Sequence, residues 1–279
     1  MKAKETREVI RLFPTPSTRV SLHGLYLAHD LRSQTRNDQV FCFSNFVVSL
    51  DGRVSVSDSP DEPPSGVPPS LTSPEDWRLF QELVAQADAV LVSGRYVHDV
   101  GTGRAQPLVQ LDRPGMADLG DWRRDAGLSP APSVVVVSSS LDFEPEAALR
   151  LGSRVLVVTD DDAPRERSAA LTASGIAVVS AGTRGVEGSR LADALAESGH
   201  HTIFATAGPV ILHLLVAAGL LDRLFITSVG RLLGGHHFST LSEGELFVPP
   251  AGFQLEALYL DPESHRPESQ LFALYTTNT

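Results

Sequence analysis

The chain has 279 residues, 42% hydrophobic and 20% charged, enough for one large α/β domain or two small ones with a real core. A net charge of −11 leaves no basic footprint for a nucleic-acid partner, so any phosphate must be held locally by a few donors or one Arg. The single cysteine, Cys42, excludes an intrachain disulfide framework and a cysteine-based zinc site, and a reducing compartment is its simplest reading.

Taken in chain order, residues 1–40 are mixed and polar and read as an N-terminal arm, within which Leu25, Tyr26, Leu27 and Leu31 suit a short helix. The opening "MKAKETREVIRLFP" lacks the apolar core of a signal peptide, and no later run approaches the ~20 apolar residues of a spanning helix. The expectation is a cytoplasmic protein with no membrane partner. A domain covering 41–279 then opens with "FCFSNFVVSL" (41–50), rich in aromatic and β-branched residues and so a buried strand. "SDSPDEPPSGVPPS" (57–70) is a loop. "SPEDWRLFQELVAQA" (73–87) starts a helix, with Ser73 as N-cap, Pro74 in the first turn and acids beside it. A strand at 89–93 follows, and residues 98–132, with many Gly, Pro and Asp, read as a long surface excursion.

Beyond it, strands are expected at 133–138, 154–159, 176–180, 202–206 and 223–229, with helices at 163–174, 188–198 and 208–219. Short apolar strands alternating with helices predict a mostly parallel central sheet flanked by helices on both faces. "FQLEALYLD" (253–261) and "ESQLFALYTT" (268–277) predict an antiparallel hairpin at one edge, across a polar loop.

Four stretches at strand ends carry candidate chemistry, and each also has a plain structural explanation. In "FATAGPVILHLL" (204–215), Gly208 lets backbone approach a ligand, Pro209 suits a first helical turn, and the amides that follow favour an anion such as a phosphate. An ordinary strand-to-helix connection explains the same letters. Asp51-Gly52, after the first strand, is a tight-turn pair. Gly94-Arg95 follows a parallel strand and is well placed for a phosphate, or is a surface Arg. Ser138-Ser139-Ser140 ends another strand and donates to the same phosphate or caps a turn.

In this order and spacing the stretches resemble, from about residue 41 to 276, the reductase domain of bacterial riboflavin biosynthesis. That family is a pyrimidine reductase with a dihydrofolate-reductase-like fold. The matching motifs are "SLDGR" (49–53), "LTSPEDWRLFQELVAQADAVLVSG" (71–94), "TAGPVILHLLVAAGLLDRLFIT" (206–227) and "GRLLGG" (230–235). The resemblance implies hydride transfer from a nicotinamide cofactor, usually NADPH with NADH left open, to a ribosylaminopyrimidine-like small molecule. It also implies roles. Val47 and Val54 offer backbone to the nicotinamide end. Ala207, Gly208, Pro209, Val210 and Ile211 hold the pyrophosphate. Gly94, Arg95, Ser138 and Ser139 surround the adenosine 2′-phosphate, and Asp99 falls beside the reaction centre. Asn45, Asp51 and Thr206 line the substrate side. A homodimer is implied as well, with the hairpin and the strand after residue 222 as interface.

The departures from the family are Asn45, Thr206 and Val84, neutral where it carries Lys, Glu and Arg. They leave two alternatives open: a non-catalytic nucleotide-binding relative, and a reductase with another substrate. One cysteine cannot supply the zinc deaminase often fused to this reductase. His200-His201 and His236-His237 are adjacent pairs that point to different faces of a strand, so no metal is expected. Asp160-Asp161-Asp162 reads as an acidic turn capping the helix at 163. If it lies near the adenosine ribose, it disfavours a 2′-phosphate and favours NADH.

Overall fold

A computed structural model of the chain describes residues 7–35, 39–61, 64–152, 154–262 and 268–277. Parts of two expected loops, 62–63 and 263–267, lie outside the described residues. In the arm, β1 (Glu8–Phe13) and β2 (Thr18–Ser21) pair as a hairpin, and 3-10 turns span Leu27–His29 and Leu31–Gln34. β3 (Phe41–Ser49) and β4 (Ser55–Ser57) precede α1 (Pro74–Gln86), whose N-cap Ser73 accepts from the Asp76 amide as its sequence predicts. The alternation then runs β5 (Ala89–Ser93), α2 (Gly94–Gly101), α3 (Ala117–Asp125), β6 (Ser133–Val137), α4 (Pro145–Leu149), β7 (Val155–Thr159) and α5 (Arg165–Ala173). It continues with β8 (Ala177–Ser180), α6 (Gly188–Glu197), β9 (Thr202–Ala205), α7 (Pro209–Ala217) and β10 (Leu221–Val229), then β11 (His237–Ser239), β12 (Phe253–Asp261) and β13 (Gln270–Thr277).

One 11-stranded sheet has the order β2-β1-β12-β13-β10-β3-β9-β5-β6-β7-β8, and a small second sheet pairs β11 with β4. From β10 to β8 the strands are parallel, as their continuous apolar runs require, while β13, β12, β1 and β2 are antiparallel. One face buries Phe43, Phe204 and Val136 against Leu79 and Leu83 of α1. The other buries Ile203 and Leu91 against Leu191 and Leu195 of α6 and Leu212 and Leu215 of α7.

Two expectations need correction. The C-terminal hairpin is not the sheet edge, because β1 pairs with β12 and β2 closes the row. Residues 98–132 are not a surface excursion alone. They contain α3, whose fully buried Arg123 donates to the carbonyls of Ala85 (2.8 Å), Ala87 (2.8 Å) and Ser129 (2.8 Å). A cation there satisfies the orphan carbonyls at the C-terminal end of α1. Such a partner lies about 38 residues away, beyond the reach of local periodicity.

The N-terminal segment docks on α1 through two buried polar side chains. Glu82 accepts from the amides of Gly24 (2.6 Å) and Tyr26 (2.9 Å). Gln86 accepts from the amide of Leu31 (2.9 Å) and donates to the carbonyl of Tyr26 (3.0 Å). Leu25, Tyr26 and Leu31 are buried there, as their apolar character predicts.

A candidate cofactor cleft at the ends of the parallel strands

The central strands are of unequal length. β3 pairs with β9 only as far as Ser44 opposite Ala205, yet stays paired with β10 up to Ser49 opposite Val229. Ser44 Oγ donates to the Ala205 carbonyl (2.7 Å), closing the last shared rung. One residue later the Thr206 amide turns the other way and donates to the Leu91 carbonyl of β5 (2.8 Å). The β3 edge from Asn45 to Ser49 therefore looks into a notch beside the β9–α7 break, at the carboxyl ends of the strands where open α/β sheets take their ligands.

At that break Gly208 is the N-cap of α7, with φ 83° and ψ −178°, a region that essentially only glycine occupies. A Cβ built on it would meet nothing within 4 Å, so the bare backbone borders open space. Pro209 is the first helical residue and has no amide to leave unsatisfied, and Gly208 has no side chain to cap the amides that follow. The first-turn N–H groups and the helix dipole suit a diphosphate. Across α7, the Glu243 amide donates to the Pro209 carbonyl (3.3 Å) and His213 stacks on Phe247 at 4.5 Å. The 243–247 segment is thereby held against the helix while Val210 stays exposed.

One strand further along, Ser93 caps α2 by accepting from the Tyr96 amide (3.2 Å). Gly94 lies so close to Ser138 that a Cβ on it would collide with that side chain. The predicted Gly94–Arg95 and Ser138–Ser139 pairs are thus neighbours. Ser138 Oγ accepts from the Leu141 amide (3.0 Å), Ser139 is exposed, and the half-exposed Arg95 places Nε 3.9 Å from Asp99.

The remaining predicted residues hold the walls. Asp99 is buried on α2, with Oδ2 accepting from Ser65 Oγ (2.8 Å) and Oδ1 paired with Arg104 (2.9 Å), which ties the 57–70 loop to the helix. Asp51 accepts from Ser49 Oγ (2.6 Å) and from the amides of Leu233 (3.1 Å) and Gly234 (3.0 Å). Those hydrogen bonds, Ser49 first, hold its carboxyl well below the usual range. Both Asp51 oxygens are thus engaged in joining the two turns "SLDGR" and "GRLLGG". Val47 is buried with Leu71 and Val229, and the Val54 amide donates to the Ser239 carbonyl (3.0 Å). Asn45 lies half-buried in the notch edge, and Thr206 Oγ1 turns back to the Leu91 carbonyl (3.1 Å). Val84 is 0% exposed in the α1 core, so its position has no substrate-facing side chain.

A family model described as the RibD C-terminal domain matches residues 40–263. The chain belongs to that family. Among curated relatives, it is similar to the 2,5-diamino-6-ribosylamino-4(3H)-pyrimidinone 5′-phosphate reductase of Archaeoglobus fulgidus, 28% identical over 75% of this chain and 88% of that one. The reductase of the same name from Methanothermobacter thermautotrophicus is 26% identical over 72% of this chain and 82% of that one. Among solved structures, a pyrimidine reductase-like protein from Corynebacterium diphtheriae aligns with a TM-score of 0.66 at 22% identity, covering 86% and 92% of the two chains. The Saccharomyces riboflavin biosynthesis reductase Rib7 aligns at 0.58 and 16%, covering 91% and 98%. The α/β architecture expected from the sequence is the one observed.

Placed in the RibD C-terminal domain family, the chain has features that its letters did not announce. The notch depends on where two strands stop pairing, a tertiary fact without a local signature. The Ser65–Asp99–Arg104 contacts join segments 34 residues apart. Asp76, read as a first-turn helix acid, is fully buried and accepts from Thr227 Oγ1 (2.6 Å), and burial pushes its carboxyl up to about 6. The acidic run at 160–162 does not cap α5. That helix begins at Arg165 after Pro164 with no side-chain cap, while Asp160 Oδ1 accepts from the Asp162 amide (3.0 Å) within the turn.

Proposed function

We propose that this chain is a cytoplasmic, homodimeric reductase that transfers hydride from a nicotinamide dinucleotide to a ribosylaminopyrimidine-like heterocycle. The observation that carries this is the notch: a free β3 edge beside an uncapped helix start whose glycine borders open space. Those residues fit a dinucleotide, with a diphosphate on the first turn of α7 and a flat ring along Asn45–Ser49. The substrate class follows from the names of the curated relatives.

When bound, the nicotinamide supplies the hydride. The chain's own work in this reading is to orient. Gly208 and the amides of Val210 and Ile211 fix the diphosphate, and Gly94, Arg95, Ser138 and Ser139 border the adenosine end. The backbone at Val47 and Val54 flanks the nicotinamide, while Asn45 and Thr206 border the substrate, beside the turn that Asp51 clamps. Asp99, with both oxygens engaged by Ser65 and Arg104 and with Arg95 Nε 3.9 Å away, acts in this reading by tying the 57–70 loop to α2 beside the adenosine end, not beside the reacting atoms.

A second reading, a reductase whose substrate lacks the 5′-phosphate, is favoured by one observation. Thr206 is neutral and its hydroxyl is taken by the Leu91 carbonyl. A dimer through these strands would use the face of β10, β13 and β12 away from the N-terminal segment, because β1 occupies the outer edge of β12 and Tyr26 and His29 pack on Phe225 and Tyr259. A solution mass near twice 29.9 kDa supports it, and a monomer mass refutes it. The functional test is a fluorescence titration with NADH and NADPH, followed by cofactor oxidation with the phosphorylated and dephosphorylated pyrimidine. Saturable binding and oxidation with one of the two are expected. Binding of neither cofactor overturns the proposal.

A further inference from the structure

We infer that the stacked pair Trp77 and Phe80, on the N-terminal half of α1, is the platform against which the substrate's heterocyclic ring lies. This rests on the reductase reading above and names the residues that give it ring specificity.

A row of aromatic rings climbs from the core toward the cleft. Phe43 and Phe204 stack at 5.2 Å with their planes 11° apart, and both are 0% exposed. Phe80 packs on Phe204 at 5.0 Å, and Trp77 stacks on Phe80 at 5.1 Å, only 6° from parallel. Unlike the first two rings, Phe80 and Trp77 are only half-buried. The row ends in an indole that still has surface to offer, and a further flat ring is what such a stack accommodates best.

The outer end of this row is at the notch. α1 ends at Gln86, just ahead of the first residue of β5, so it runs against the parallel strands with its N-terminal turns at their carboxyl ends. Two contacts fix its course over the sheet. Asp76 Oδ1 accepts from Thr227 Oγ1 of β10 (2.6 Å), and Phe80 touches Phe204 of β9. β3 lies between those strands, with Val47 opposite Thr227 and Phe43 opposite Phe204. Asn45 is midway between Val47 and Phe43 and shares their face, so it lies beneath the stretch of α1 from Asp76 to Phe80. Trp77 is three residues, about 4.5 Å, nearer the carboxyl ends than Phe80. That brings it level with Ala205, where β9 stops.

The chemistry of this wall suits an uncharged ring. The cation of α1, Arg78, is turned to Glu82 (3.0 Å) and Asp118 (2.8 Å). Asn45 is neutral, and its amide offers donors beside an acceptor, a match for a ring edge with an amino group next to a carbonyl. α7 packs on the opposite face of the sheet, through Leu212 and Leu215 against Ile203 and Leu91. A diphosphate on α7 and a ring against Trp77 therefore approach the Asn45–Ser49 edge from opposite sides, as two rings that exchange a hydride must.

The chain has two tryptophans, so Trp122→Phe leaves Trp77 as the sole indole. Titrating that variant with the phosphorylated and the dephosphorylated ribosylaminopyrimidine, with and without oxidised dinucleotide, should quench its emission saturably. Trp77→Leu should weaken both pyrimidines by the same factor, about tenfold, the size of one ring–aromatic stack, and leave dinucleotide affinity unchanged. Equal factors are expected because the ring is what the two compounds share. Trp77→Phe keeps a ring, should bind within about threefold of the parent, and serves if the leucine variant does not fold. Trp77 emission unmoved by either pyrimidine, or affinities untouched in a folded Trp77→Leu chain, overturns the inference and leaves the reductase reading standing where a dinucleotide binds. A folded parent that binds neither dinucleotide refutes the reductase reading, while quenching of Trp77 by the pyrimidine alone still decides the platform.

Discussion

Two regions of the molecule bond many of their buried polar groups differently. Where the N-terminal segment meets α1, Glu82 accepts from Gly24, Tyr26 and Arg78, Gln86 bonds Leu31 and Tyr26, and Arg123 closes the end of the helix. At the carboxyl ends of the parallel strands, α7 starts without a side-chain cap, Gly208 borders open space, and Thr159 and Asp160 each hold a buried oxygen with no hydrogen-bond partner among the described residues. A buried polar group whose bonds are all made within the chain is a fastener. One whose bonds are left over carries a cost, because an unmade bond in a dry site is unfavourable.

This contrast can be broken by mutation. The largest effect is expected at Glu82→Ala, which strands two amides and leaves the buried Arg78 guanidinium with Asp118, the Gly115 carbonyl and Met116 Sδ among the described residues. A loss of about 3–5 kcal/mol in urea unfolding is expected, with faster proteolysis of residues 7–35. A loss below about 1 kcal/mol would show that the docking is not held by this carboxylate.

Asp76→Asn tests a fastener with a titration. Burial raises its folded pKa from 3.8 to about 6, so the stability it contributes is complete below about pH 4 and lost as pH rises through 6. The amide variant should therefore gain up to about 3 kcal/mol over the parent at pH 8 and nothing at pH 4, using 1.36 kcal/mol per unit. Thermal unfolding at the two pH values measures it, and an equal shift at both would contradict the buried carboxyl.

Gly208→Ala probes the open side. The backbone conformation costs alanine about 1–2 kcal/mol, a small drop in melting temperature. Dinucleotide affinity should fall at least tenfold, since the new methyl projects into the space beside the first turn of α7. Unchanged affinity would move the diphosphate away from that helix.

Much of this was legible in the letters. β5 falls at 89–93 as expected, α1 opens on the Ser73–Pro74 signal, and the parallel sheet follows from runs such as "SVVVV" that have no polar face to expose. Gly208 announced a special turn because so few residues tolerate its dihedral angles. The failures are equally physical. α3 was hidden because one of its two buried residues, Arg123 beside Leu119, is an arginine, which periodicity counts as solvent-facing. The hairpin was placed at the edge because nothing in "EVIRLF" says that its partner lies some 250 residues later.

By itself, then, the sequence determined the central parallel strands, the helices that alternate with most of them and the two C-terminal strands, since these depend on side-chain volume, branching and caps within a few residues. Only the tertiary structure decided that β9 stops short of β3, that Asp99 and Asp51 fasten loops, and that Arg123 closes the end of α1. Those outcomes depend on which distant groups meet and which are left unmatched, a sum over the whole chain that no local stretch contains.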